Sequence, residues 1–157
     1  MEYMSAAGKE ESKGGCVFCA HLTEDDDARS HILWRGRKVF VILNAFPYNT
    51  GHLMVAPLEH VGDLNELDAD ARAEMIETAS GSTAIIREVM GAEGFNVGIN
   101  LGAAAGAGIP GHLHMHVVPR WSGDTNFMPV VGGTKVLPEM LADTDDKLRP
   151  HFELLGR

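Results

Sequence analysis

Between His31 and Pro57 the apolar residues come in short runs divided by turn residues. Ile32 to Trp34, Lys38 to Leu43 and His52 to Ala56 each fit a strand, and Pro47-Tyr48-Asn49-Thr50-Gly51 turns the chain into the third. After Pro57 the period changes. Leu67, Ala71, Met75, Ala79, Thr83, Ile86 and Met90 recur at steps of three and four, which predicts a long helix with Asp68 as N-cap and Gly91 as C-cap. Gly81 inside it costs about 1 kcal/mol relative to alanine. Two more strands follow, Phe95 to Asn100 and His112 to Val118, and Pro119 is expected to stop the second. Pro138 to Leu148 predicts a shorter helix that Pro150 ends.

These elements add up to an α+β domain: a five-stranded antiparallel sheet with one long helix and a short C-terminal helix. An edge strand left open could pair with a second copy. Residues 1–14 are polar with two glycines and read as a flexible N-terminal tail, leaving 15–157 as a single domain. No internal repeat is visible.

Composition narrows the chemistry. The 157 residues are 45% apolar, enough for one core, and 22 acidic against 13 basic residues give a net charge of −9. The densest basic stretch is Arg35-Gly36-Arg37-Lys38, so no footprint for nucleic acid or an anionic membrane exists. The longest buried-strand run, Val39 to Leu43, falls far short of the roughly 20 residues that cross a bilayer. The first residues lack the apolar core of a signal peptide, so a cytoplasmic location is expected. There, Cys16-Val17-Phe18-Cys19 is a metal or redox motif before it is a disulfide. The acidic run Glu24 to Asp27 reads as a solvated loop, and His21, His31 and His151 as surface residues.

The most informative stretch is His112-Leu113-His114-Met115-His116-Val117-Val118. On a strand, residues two apart share a face, so the histidines would line one side while Leu113, Met115 and Val117 enter the core. Three readings are open: a chance alternation, a catalytic zinc held by His-x-His, or a nucleophilic histidine whose other ring nitrogen is held by a backbone acceptor. Just upstream, Gly106-Ala107-Gly108-Ile109-Pro110-Gly111 spells G-x-G-x-x-G. A dinucleotide-binding fingerprint must open a helix, whereas this loop carries Pro110 and runs into the histidine strand. A side-chain-poor approach of backbone N–H groups to phosphate suits it better.

The alternating histidines and the apolar residues after them resemble the histidine-triad superfamily. The resemblance extends to Asn44 with Gly51-His52, to Asn100-Leu101-Gly102 with the glycine loop, and across residues 16 to about 130. The run from Val117 to Phe127 is similar to the branch that contains bacterial diadenosine tetraphosphate phosphorylases. The resemblance implies a nucleotidyl hydrolase or transferase acting on the α-phosphate of dinucleoside polyphosphates or related adenine nucleotides. His114 would be the nucleophile, His116 would assist the leaving group, and His52 would support them. Asn44 would bind ribose, Ile42 and Phe40 would wall the base, and Asn100, Gly106, Ala107 and Gly108 would steady the phosphate. The family's commoner pattern has Gln and then Ser or Thr where Ala107 and Gly108 stand, so two side-chain contacts are missing and the acceptor of the second step is left open.

The resemblance also implies a structural zinc on Cys16, Cys19, His60 and His112, a homodimer, and room for magnesium with the polyphosphate. Phosphorolysis and a slow nucleotide-sensing module are the alternatives to hydrolysis. Trp121 and Phe127 are candidates to close over substrate, with core packing as the competing role.

Overall fold

The computed structural model describes residues 15–125 and 139–156. The expected tail, Phe127 and Pro138 lie outside the described residues. Five strands form one antiparallel sheet: β1 (Ile32–Arg35), β2 (Val39–Leu43), β3 (Leu53–Pro57), β4 (Gly94–Ile99) and β5 (Met115–Arg120). Their order is β1-β2-β3-β5-β4, so the histidine strand lies inside the sheet and β4 forms an edge. The helices are α1 (Val17–Thr23), α2 (Asp27–Ser30), α3 (Ala69–Met90) and α4 (Leu141–Phe152). No helix among the described residues is long and apolar enough to cross a membrane.

Strand parity sorts the residues onto two faces. Val39, Val41, Leu43, Leu53, Val55, Leu113, Met115 and Val117 pack with α3 and α4 in the main core. Their neighbours Ile32, Phe40, Ile42, Met54 and Ala56 face the other way, where Cys16 and Phe18 cover part of the sheet. Cys16 and Phe18 therefore roof only part of the second face, and beyond them it carries His52, buried under Tyr48, and His116, partly exposed.

α3 follows the expected bounds, with the Asp68 carboxylate accepting from the Ala71 N–H and Gly91 ending the helix at φ 66°. Ser82, not Thr83, is the buried position in the middle turn. A step of three from Ala79 to Ser82 and four to Ile86 keeps the stripe on one line, and the Ser82 hydroxyl is satisfied by the Thr78 carbonyl. Gly81 has a local reason: a Cβ there would stand 2.5 Å from Leu155 Cδ1, in the turn after α4.

Two proline expectations are corrected. β5 runs through Pro119, which pairs with Phe95. Arg120 turns its carbonyl towards the β4 side, accepting from Glu93, while the Pro119 carbonyl faces away and accepts from Asn49 Nδ2. The β3–β5 pairing stops at Leu53, the first residue of β3, opposite Val117, so no ladder bond is asked of the missing N–H. In α4, which starts at Leu141, Pro150 lies inside the helix on its exposed side. A proline there costs about 3 kcal/mol, and the full burial of Phe152 two residues later offsets most of it.

α1 was not expected, because seven residues with one buried side chain, Phe18, are too few to show a period. The acidic run is also more than a loop. Asp26 caps α2, Glu24 accepts from Ser30, and Asp27 grips Arg35 through two oxygens. His31 is not a free surface residue either, since its Nδ1 meets Asp145 at 2.8 Å.

Because Phe152 anchors α4 beyond a proline, Phe152→Ala is expected to destabilise the chain by about 3–5 kcal/mol in urea unfolding. A loss below about 1 kcal/mol would show that α4 is held elsewhere.

Candidate active site and metal centre

The histidine stretch divides in two. The β5 ladder begins at Met115, later than expected, because the register Val55 opposite Met115 would bring Pro57 opposite Leu113. Proline has no N–H to give. Leu113 instead donates to the Val61 carbonyl at 2.7 Å, and the Pro57 carbonyl is left for His112 Nε2, at 2.8 Å. His112 is thereby turned away from the other two. The alternation of faces survives: Leu113 is in the main core while the three imidazoles stay on the opposite side.

His112 belongs to a cluster with Cys16, Cys19 and His60, whose ligand atoms all lie within 4.8 Å of one another. Cys16 Sγ is 3.3 Å from His112 Nδ1, and Cys19 Sγ is 3.4 Å from His60 Nδ1 and 3.6 Å from His112 Nδ1. Tetrahedral zinc with Zn–N and Zn–S bonds of about 2.0–2.3 Å has ligand-to-ligand edges of about 3.3–3.8 Å, so the donor set and its spacing fit that ion. The His112 Nε2–H donates to Pro57, which leaves Nδ1 unprotonated towards the cluster, the arrangement a metal ligand needs. Among the described residues His114 is outside this cluster, and a zinc held by two triad histidines is not built.

His114 is 5% exposed and packs between Phe18 and His116, with ring centroids 5.3 and 5.0 Å away. Its Nδ1–H donates to the His112 carbonyl at 2.7 Å, so the lone pair of the neutral ring is on Nε2. A second chain of bonds fixes the other two rings. The Tyr48 N–H donates to His52 Nδ1 at 3.1 Å, and His52 Nε2 lies 2.9 Å from His116 Nδ1. With its Nδ1 accepting, a neutral His52 must carry its proton on Nε2 and donate it to His116, whose own proton then resides on Nε2.

Burial, and then the neighbouring His116 and His114, pull the His52 pKa down to about 3. Burial, with His114 beside it, lowers His116 to about 4. His114 is lowered too, by burial, against the opposing pull of the His112 carbonyl. All three rings are neutral at pH 7. The arrangement offers one unprotonated ring nitrogen, on His114, beside one N–H donor, on His116, which suits nucleophilic attack with a hydrogen bond to the charge that builds on a leaving atom.

The turn from β2 to β3 presents His52. Gly51 takes φ 79°, and a Cβ there would meet Met90 Sδ at 2.9 Å, so the turn closes tightly over the end of α3. Asn44 lies at its other end, its N–H bonded to the His52 carbonyl and its Nδ2 3.4 Å from His52 Nε2. Ile42 and Phe40 are packed in the smaller core beneath Phe18, at 3% and 0% exposure.

Asn100 and the glycine loop follow β4. Gly102 and Gly106 adopt φ 77° and 88° around a short 3-10 turn, Ala107 is buried and Gly108 is exposed with open space around it. Among the described residues no internal partner takes the N–H groups of Gly108 or Ile109. Trp121 packs against the main core and so does not stand as a lid. Arg120 is gripped by both oxygens of Asp124 and donates to Asn96 Oδ1.

Residues 26–123 match the HIT domain model. The chain belongs to the HIT family. Among curated HIT-family relatives, the AP-4-A phosphorylase of Mycobacterium tuberculosis is 45% identical over 118 residues, covering 75% of this chain and 60% of that protein. The adenylylsulfatase HINT3 of Arabidopsis thaliana is 31% identical over 119 residues, covering 74% and 59%. The chain thus spans about three fifths of the length of both. The crystal structure of a Zn-bound histidine triad family protein from Mycobacterium smegmatis overlays with a TM-score of 0.74 at 27% identity, covering 92% of this chain and 97% of that one.

Three contributors to this HIT site carried no sequence signal: the Tyr48 N–H, the Pro57 carbonyl and Phe18, which touches both His112 and His114. Two of them act through the backbone, where residue type is silent, and Phe18 lies on a helix too short to recognise.

Histidines buried neutral withdraw stability when acid protonates the unfolded chain. His52, depressed from 6.5 to about 3, contributes its full share above pH 6.5 and loses it as pH falls towards 3. Between pH 7 and pH 5 that share is about 2 kcal/mol, and His52→Gln is expected to flatten the urea-measured stability profile by that amount. An unchanged slope would mean that His52 is charged when folded.

Proposed function

We propose that this chain is a nucleotidyl-transferring enzyme acting on dinucleoside polyphosphates, with inorganic phosphate as the favoured acceptor. The observation that carries the reading is the bond from His114 Nδ1–H to the His112 carbonyl, which leaves Nε2 as a neutral, aimed nucleophile. His114 Nε2 attacks the α-phosphorus, and the bond from that phosphorus to the bridging oxygen breaks. His116 Nε2–H donates a hydrogen bond to the departing oxygen, which leaves as a polyphosphate anion and needs no proton. As the P–N bond forms, positive charge builds on the His114 ring, and the carbonyl dipole of His112 stabilises it. In the second step an acceptor oxygen of inorganic phosphate attacks the phosphorus, the P–N bond breaks, and its electron pair returns to His114 Nε2 as the neutral ring.

Asn44 and Ile42 belong to the ribose and base side in this reading. Asn100 and the N–H groups around Gly106, Ala107 and Gly108 hold the non-bridging oxygens. Phosphate is favoured over water because the 45% identical relative is an AP-4-A phosphorylase. Hydrolysis is the competing outcome.

Zinc on Cys16, Cys19, His60 and His112 would have a filled shell and no open position, so its part is structural. The fit of the four ligands and the Zn-bound relative from M. smegmatis support it. The open outer edge of β4, where Val97 is 48% exposed, supports a homodimer formed by joining two sheets.

Incubation with diadenosine tetraphosphate is expected to yield ADP and ATP only when phosphate is present, with His114→Ala slower by about 10⁴-fold. AMP with ATP, or two ADP, formed without phosphate would make the chain a hydrolase. For the metal, His60→Ala is expected to lose bound zinc, read by elemental analysis, and to lower Tm. Retention of one zinc per chain in that variant would move the ion elsewhere.

A further inference from the structure

A cleft of about 330 Å³ opens on the β4 side of the histidines, lined by Tyr48, Asn96, Ile99, Asn100, His116 and Val118 among others. It lies across His116 from the Asn44 and Ile42 side. Gly98 stands opposite His116 in the ladder, and a Cβ there would meet nothing within 4 Å, so the floor next to the imidazole is level and open. Tyr48 overhangs it. One face of its ring packs on His52 at 4.7 Å and runs within 25° of parallel to His116 at 5.9 Å, yet the residue is 73% exposed. A large aromatic side chain held flat at a cleft mouth with its other face open is a stacking platform.

The lining also indicates what the cleft does not hold. Among the described residues Arg120 is its one cation, and Asp124 grips that guanidinium through both carboxylate oxygens at 2.7 Å while Asn96 takes a third N–H. Asp124 is itself held by Asn49 and by the Trp121 N–H. The positive charge is therefore cancelled within the protein, and phosphate has little reason to settle there. Apolar surface, two side-chain amides and an open aromatic face suit a flat, neutral heterocycle with edge donors and acceptors.

We propose that this cleft is the subsite for the nucleobase of the departing half of the substrate, with Tyr48 as the stacking and specificity-determining residue. The proposal rests on the transfer reading above: a dinucleoside polyphosphate reacting at His114 has one nucleoside on each side of the histidines, and the half that leaves extends past His116. The polyphosphate itself stays over the histidines and the glycine loop. The backbone edge of β4, which pairing with another copy would use, is a different surface from the sheet face that floors the cleft.

The test compares two substrates with the same four phosphates: diadenosine tetraphosphate, and adenosine 5′-tetraphosphate, which lacks the second base. The readout is the ratio of their kcat/KM values. Tyr48→Ala is expected to lower that ratio by about tenfold, within the range of base–aromatic stacking, while Tyr48→Phe keeps it. Both variants keep the backbone N–H that holds His52. A Tyr48→Ala ratio equal to wild type, with both substrates slowed alike, would reduce the ring to a support for His52 and His116 and overturn the subsite. Failure of the transfer reading looks different, as a wild-type chain that turns over neither substrate, and it would remove the subsite with it.

Discussion

His112 is used at both ends. Its ring nitrogen Nδ1 faces two cysteine sulfurs, at 3.3 and 3.6 Å, while its main-chain carbonyl accepts the Nδ1–H of His114 at 2.7 Å. The first contact fixes where the residue lies, and the second fixes how the His114 ring is turned. A carbonyl in a loop would wander, and the tautomer of His114 with it. Here the loop is pinned by the Pro57 carbonyl on His112 Nε2, by Leu113 donating to Val61, and by the cysteine helix α1, whose Phe18 fills the space between the two rings. The missing N–H of Pro57 is what frees these groups from the sheet ladder.

The second constraint is the number of protons in a crowded site. Three imidazoles in a row, with His116 about 5 Å from both His52 and His114, cannot all be charged in a buried setting, and burial settles the matter by making each neutral. Neutrality alone would leave eight tautomer combinations. Two backbone groups reduce them to one: the His112 carbonyl acting on His114, and the Tyr48 N–H acting on His52 and, through it, on His116. A free lone pair and a free N–H emerge side by side, and among the described residues no carboxylate contacts the rings. That arrangement suits the polyanionic substrate of the proposed transfer reading.

Much of this was legible in the sequence, unevenly. The five strands and α3 with its caps followed from period and punctuation, because sheet and helix faces repeat over enough residues to be counted. The four candidate metal ligands were named through family resemblance, and the structure brings them together across 96 positions of chain. The prolines were misread at 119 and 150 because a proline is judged by the bond it lacks, and whether that bond is wanted depends on where the neighbouring strand ends or what lies buried beyond. α1 and the tautomer-setting backbone groups were invisible, the former for want of length and the latter because a carbonyl belongs to every residue.

Charge explains the rest of the site's design. The chain carries −9 overall, and Arg120, which lines the cleft beside His116, is paired with Asp124. In the transfer reading proposed above, the anionic substrate is then held by dipoles. Positive φ angles at Gly102 and Gly106 and the uncrowded surroundings of Gly108 give such dipoles room to approach, which lysines at the same positions would not. In that reading, a product held by N–H groups alone and carrying more charge than the transferred nucleotide gains no extra ion pair to keep it bound. The proposed departing half can then leave, provided that what holds it is a neutral surface such as the face of an aromatic ring.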